Sequence, residues 1–155
     1  MVRPASISEI DEIVSLWKEF MNDPSAIDIP IPTHNENVKR QTQFVEGLVR
    51  ENPRQALVAQ VDDELVGYIL YKIEANTPLE IQNKLSFIYD VYVRPDHRRQ
   101  GVGRGLMQAC LEELRRAGPR HVRLNVWTRN EAAIRLYRRM GFTDHLLVMR
   151  AEVGG

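Results

Sequence analysis

The sequence predicts an α+β fold: a mixed, mostly antiparallel central sheet with about four helices packed on its faces. Three observations carry this. Two apolar runs, residues 55–61 and 65–74, flank a short polar turn and read as an antiparallel hairpin. A strand–helix–strand alternation over residues 86–126 reads as a parallel crossover. Other segments place apolar residues at helical spacing. The 155 residues are 43% hydrophobic and 27% charged, enough for one core and too few for two ordinary domains. Residues 1–155 are therefore expected to form a single domain.

A short strand at residues 2–3 opens the order of elements. Ser6 and Glu9 have capping-box spacing ahead of Ile10, Ile13, Val14, Leu16, Trp17 and Phe20, the apolar face of a first helix. Pro24, Pro30 and Pro32 break that helix into a loop. Thr33 with Glu36 caps a second helix, apolar at Val38, Phe44, Val45, Leu48 and Val49. Asp62, Asp63 and Glu64 make the hairpin turn. Residues 86–93, rich in Ile, Val and aromatics, form a third strand that Pro95 stops. A helix over 102–117 closes at Gly118 and Pro119. Residues 121–126 are the next strand, 130–140 a helix ended by Gly141, and 145–152 a last strand.

The formal charge is zero but unevenly spread. Residues 1–93 carry 8 Lys/Arg against 15 Asp/Glu, and residues 94–155 carry 13 Arg against 6 Asp/Glu. Either the basic half meets an anion, or the two halves neutralise each other across the fold. The arginines fall at a glycine-rich turn and along helices rather than among exposed aromatics, so nucleic acid is not an expected partner. There is no apolar run of about 18 residues and no apolar segment of a secretory signal, so no membrane is expected. Cys110 is the single cysteine, placed among Leu106, Met107, Leu111 and Leu114 as a packing residue, and a cytoplasmic location is the expectation. His34, His97, His121 and His145 lack metal-ligand spacing, and no metal site is expected.

The stretch richest in chemistry runs from Val91 through a basic loop into the helix that starts at Val102. The loop is Arg98, Arg99, Gln100, Gly101, Val102, Gly103, Arg104. Unpaired N–H groups and a positive dipole at a helix N-terminus suit a phosphate, and glycines let it approach the backbone closely. A Walker loop is absent, and Leu106 stands where a dinucleotide fingerprint needs its third glycine. Taken alone, a tight strand-to-helix turn with incidental arginines explains the same residues.

The loop is not alone. Arg98-Arg-Gln-Gly101-Val-Gly103 resembles the Gln/Arg-x-x-Gly-x-Gly/Ala signature of GCN5-related N-acetyltransferases. Asn130-Glu-Ala-Ala-Ile-Arg-Leu-Tyr137-Arg-Arg-Met-Gly141-Phe142 is similar to their second signature, and Asp90-Val-Tyr-Val93 resembles their fourth strand. The resemblance spans nearly the whole chain. It implies an acyltransferase that moves acetyl from acetyl-CoA to a primary amine by direct attack in a ternary complex, with a non-catalytic CoA-binding module as the alternative.

By that resemblance, backbone amides at Val91, Tyr92 and Val93 hold the pantetheine arm and the acetyl carbonyl. Those of Arg98, Arg99, Gln100, Gly101, Val102, Gly103 and Arg104 surround the pyrophosphate. Asn130 matches a pantetheine-contacting asparagine; it could equally cap its helix, unless Thr128 and Glu131 do so. Tyr137 matches the tyrosine that protonates the departing thiolate, a job suited to a phenol that is neutral at pH 7. Bacterial ribosomal-protein N-terminal acetyltransferases place a glutamate on the fifth strand, where this chain has Asn125, which cannot act as a base. Asp90 is then the remaining candidate base. Asp23, Asp28 and Glu36 fall on the expected acceptor wall and hint at a cationic amine. Only 13 residues follow Phe142, so a homodimer partner covering the acceptor side is an open expectation.

Overall fold

The computed structural model describes residues 1–29, 31–73 and 85–154. Pro30 and the end of the expected strand at Glu74 lie outside the described residues. The elements are β1 (Val2–Pro4), α1 (Ile10–Met21), α2 (Asn35–Glu51), β2 (Ala56–Val61), β3 (Glu64–Lys72), β4 (Leu85–Val93), α3 (Val102–Ala117), β5 (His121–Leu124) and α4 (Glu131–Arg139). The strands make one sheet in chain order, antiparallel from β1 to β4 and parallel between β4 and β5. The α+β expectation holds.

Period-two alternation in β2 and β3 sends side chains to two cores. Ala56, Val58, Leu65, Tyr68 and Leu70 pack against α1 and α2 on one face. Leu57, Ala59, Val66, Ile69 and Tyr71 pack with Leu106, Met107, Cys110, Leu114 and Tyr137 of α3 and α4 on the other. β3 is central and covered on both sides, which is why its sequence is a continuous apolar run. The β2–β3 turn follows from Asp62 and Asp63, whose φ values of 48° and 63° give the left-handed pair that matches the twist of a two-residue hairpin.

Several boundaries differ from the expectation, each for a local reason. Glu9 accepts from the Ser6 N–H at 2.8 Å, as a capping box requires, but within a 3-10 turn that precedes α1. His34, not Thr33, precedes α2, because the Thr33 hydroxyl meets the Asn22 amide instead. The strand expected at 145–152 does not form: Leu146, Leu147, Val148 and Met149 are 73–83% exposed and pair with no strand among the described residues. A lone extended segment gains neither a ladder nor apolar cover, and the Arg138–Asp144 contact at 3.2 Å fixes its start to the outside of α4.

Gly67 positions the strand that matters most. A Cβ there would lie 2.7 Å from the Tyr92 carbonyl oxygen and 3.2 Å from a Val93 methyl, so β3 and β4 approach at this point only because the side chain is missing. Gly67→Ala is expected to push β4 away and destabilise the protein by about 1–3 kcal/mol. A urea midpoint equal to that of the parent chain would show that β4 can move without cost.

Candidate active site

The site begins where β4 loses a neighbour. β4 pairs with β5 from Leu85↔His121 to Ile88↔Leu124 and no further. On its other edge it continues with β3, through a bulge at Tyr89, as far as Gly67↔Val93. The Arg94 N–H donates to the Val66 carbonyl at 2.8 Å. Because N–H directions alternate along a strand, those of Tyr92 and Asp90 also turn to β3, while those of Val91 and Val93 face the open edge. Tyr92 therefore contributes through its ring, stacked on Phe20 at 5.3 Å, rather than through a free amide.

The opening is a narrow cleft between the parted strands, lined by Val91, Tyr89, Asn125, Trp127, Asn130 and Tyr137 among others. β5 ends two residues before its expected limit, because Asn125 and Val126 already form the cleft wall. Asn130 caps its helix and also stands in the cleft wall. Its Oδ1 accepts from the Ala133 N–H at 3.3 Å. Thr128 and Glu131 take no part in the cap.

Tyr137 reaches the cleft from α4 and is 8% exposed, its ring against Phe142. Its hydroxyl makes no hydrogen bond to a described residue. Burial, and then the charge of Asp90, push its pKa above the ordinary phenol value, so the proton is held more firmly than the sequence suggests. Asp90 is raised to about 6, chiefly by burial, with hydrogen bonds from the Tyr68 hydroxyl (3.3 Å) and the Gln41 amide (3.5 Å) acting the other way. It stands on the sheet face of α1 and α2, beside the cleft rather than in its lining.

At the end of β4 the chain turns through residues 95–101 into α3. Arg99 (φ 60°) and Gly101 (φ 84°) both adopt the left-handed conformation, which curls the intervening amides into a concave surface. Backbone N–H groups from Arg99, Gln100, Gly101, Val102, Gly103 and Arg104 have no acceptor among the described residues. A Cβ at Gly101 would meet nothing within 4 Å, so the concavity is open there. Arg99 and Arg104 are exposed, without an ion pair among the described residues.

Arg98 is different. Its Nε donates to the Val93 carbonyl at 2.8 Å, its Nη2 to Asp23 at 2.6 Å, and it lies over the Tyr92 ring. It ties the loop to β4 and to the segment after α1 instead of presenting charge to a ligand. Burial opposes ionisation of Asp23, but the Ser25 hydroxyl and Arg98 outweigh it and hold that carboxyl below its usual range.

The acetyltransferase (GNAT) family pattern fits residues 13–142. The chain belongs to the GNAT family. An N-alpha-acetyltransferase of Sulfurisphaera tokodaii is 34% identical over 106 residues, covering 65% of this chain and 63% of that one. A [ribosomal protein bS18]-alanine N-acetyltransferase of Escherichia coli is 39% identical over 57 residues, 37% of this chain and 38% of its own. The chain thus spans less than two thirds of the length of either relative. Among solved structures, Ard1 from Thermoplasma volcanium superimposes with a TM-score of 0.71 at 26% identity, over 94% of this chain and 84% of that one. A Brucella melitensis ribosomal-protein-alanine N-acetyltransferase gives 0.72 at 24%, over 91% and 83%.

The residues outside the sequence signatures are aromatic. Phe20, Tyr89 and Trp127 line the cleft, and none was singled out as functional from sequence. Tyr89 could not have been, because its direction is set by a bulge that no residue pattern announces. Asp90 generates a pH-dependent test. A carboxyl with a raised folded pKa binds its proton more tightly folded than unfolded, so stability falls as pH rises from about 4 to about 6. Asp90→Asn should be more stable than the parent to urea at about pH 7.5, with the difference vanishing near pH 4. A pH-independent difference would mean that the carboxylate carries no burial penalty.

Proposed function

We propose that this GNAT chain transfers acetyl from acetyl-CoA to a primary amine by direct attack in a ternary complex. The carrying observation is the continuity of two main-chain donor sets: Val91 and Val93 at the parted edge, and residues 99–104 at the helix N-terminus. The first suits an amide-bearing arm and a carbonyl oxygen, the second a pyrophosphate. A Cβ at Gly101 would meet nothing within 4 Å, and the charges of Arg99 and Arg104 stand beside the second set. The likeness to N-alpha- and ribosomal-protein-alanine acetyltransferases supports an amine acceptor.

The chain's residues then divide the step. The Val91 or Val93 N–H polarises the acetyl carbonyl, and Asn130 steadies the arm beside it. Asp90 takes a proton from the incoming ammonium, directly or through water, which its pKa of about 6 permits at neutral pH. The free amine then attacks the carbonyl carbon, the carbon–sulfur bond breaks and Tyr137 gives its proton to the thiolate, while the second proton on nitrogen leaves through water as the amide forms and restores the phenol. Its raised pKa keeps that proton available throughout the physiological range.

Gly101→Asp should fold, since nothing lies within 4 Å of a Cβ there and aspartate tolerates left-handed backbone. It should nevertheless lose the thermal stabilisation that acetyl-CoA and CoA confer on the parent. Retained stabilisation would place the phosphates elsewhere. Tyr137→Phe should lower turnover by about 10²-fold with little change in acetyl-CoA affinity. In the parent, the alkaline loss of activity due to this group should begin above pH ~10, the ordinary phenol value. Loss of affinity with turnover intact would assign Tyr137 to binding.

A further inference from the structure

The acceptor wall does not have the character its sequence suggests. Asp23, Asp28 and Glu36 hint at a cationic amine, yet each already has an arginine of the same chain. Asp23 pairs with Arg98 at 2.6 Å, Asp28 with Arg129 at 4.0 Å and Glu36 with Arg40 at 3.2 Å. Glu19, on the same side, pairs with Arg94 at 3.1 Å. A polycation would have to displace these partners one by one.

What the wall exposes instead is aromatic surface. Phe44 of α2 meets Tyr89 edge-to-face at 4.9 Å, and Phe87 of β4 lies 5.2 Å from Tyr89. Phe44 and Tyr89 are 36% and 37% exposed. The bulge in β4 carries Tyr89 into the cleft lining, so this shelf is continuous with the cleft and stands next to Asp90. Exposed aromatics gathered at the mouth of a site mark a place where a ligand's apolar group is taken out of water. On the opposite wall Asn125 is exposed, its carboxamide unpaired among the described residues. A carboxamide offers one donor side and one acceptor side, which matches a peptide group and not a hydrocarbon amine.

Resting on the acetyltransferase reading, the geometry points to an acceptor that is the α-amine of a peptide whose first residue carries a large apolar side chain. That side chain sits on Phe44, Phe87 and Tyr89, the amine turns toward Asp90, and Asn125 meets the first peptide group. Nitrogen acetylation then proceeds as above: the ammonium gives one proton to Asp90 before the free amine attacks, and the nitrogen loses its second proton as the amide forms.

The test compares tripeptide amides beginning with phenylalanine, leucine, alanine or aspartate, together with phenethylamine and spermidine. Two readouts are taken: acetyl transfer, and equilibrium binding to CoA-saturated protein. The phenylalanine and leucine peptides should exceed the alanine peptide by about tenfold in kcat/KM and in affinity, the discrimination typical of a small apolar pocket. Phe44→Ser should erase that preference while leaving the acetyl-CoA affinity unchanged, and Phe44→Leu should restore part of it. Equal use of all the peptides, a preference for spermidine, or phenethylamine matching the phenylalanine peptide would overturn the proposal. So would a dimer that Phe44→Ser dissociates with acceptor kinetics untouched, which would give the shelf to a second copy of the chain. Absence of transfer to every amine would remove the acetyltransferase reading instead, and the binding series would still rank the peptides; a flat ranking sinks the shelf.

Discussion

β4 has two edges with different fates, and the candidate site depends on that difference. On the β3 side its ladder runs to Val93; on the β5 side it stops at Ile88. Backbone donors in a folded interior are almost always paired, so a strand edge left open beside a buried core is a site waiting for a ligand with acceptors in series. The parting is maintained from both ends. Parallel pairing of residues 85–88 with 121–124 holds the strands together below. Above, α3 and α4 hold them apart, with Leu106, Met107 and Tyr137 packed on Val91 and Val93. The close approach of β3 at Gly67 keeps β4 from closing the gap.

The uneven charge of the sequence resolves within the same frame. Arg54 with Glu113, Arg94 with Glu19 and Glu64, Arg98 with Asp23, and Arg129 with Asp28 all join the acidic half to the basic half. Much of the asymmetry is therefore consumed in holding loops against the sheet. Arg99 and Arg104 escape this, and they flank the open amides of the helix N-terminus. Exposed pairs such as Asp28–Arg129 contribute little stability. The Arg98 contact is better placed, since it satisfies a strand carbonyl, a carboxylate and an aromatic face together. Neutralisation and anion attraction thus coexist, carried by different arginines of one loop.

Tyr137 and Asp90 show how packing sets chemistry that residue type leaves open. Both approach the cleft region, one from each face of the sheet, and burial raises both pKa values. For the phenol this secures the proton. For the carboxyl it moves the group toward neutrality, where a base can accept and release protons. Isolated in water, neither would be so poised.

Sequence alone determined the element order, the sheet with helices on both faces, and the loop that opens α3. Those features rest on local causes: apolar periodicity, prolines, capping residues and glycines at defined positions. Tyr137 and Asn130 were legible for the same reason, each fixed by its place in a short helical signature. The tertiary structure alone decided which amides are open, because that depends on where β5 stops. It decided that Arg98 braces the loop, since Asp23 lies 75 residues away in the chain. It also left residues 145–152 without a strand partner among the described residues, although their composition suits one. The surface beside Asp90 is the furthest from the sequence: Asp23 and Asp28 meet arginines from distant segments, and the aromatic shelf exists only because a bulge turns Tyr89 toward Phe44.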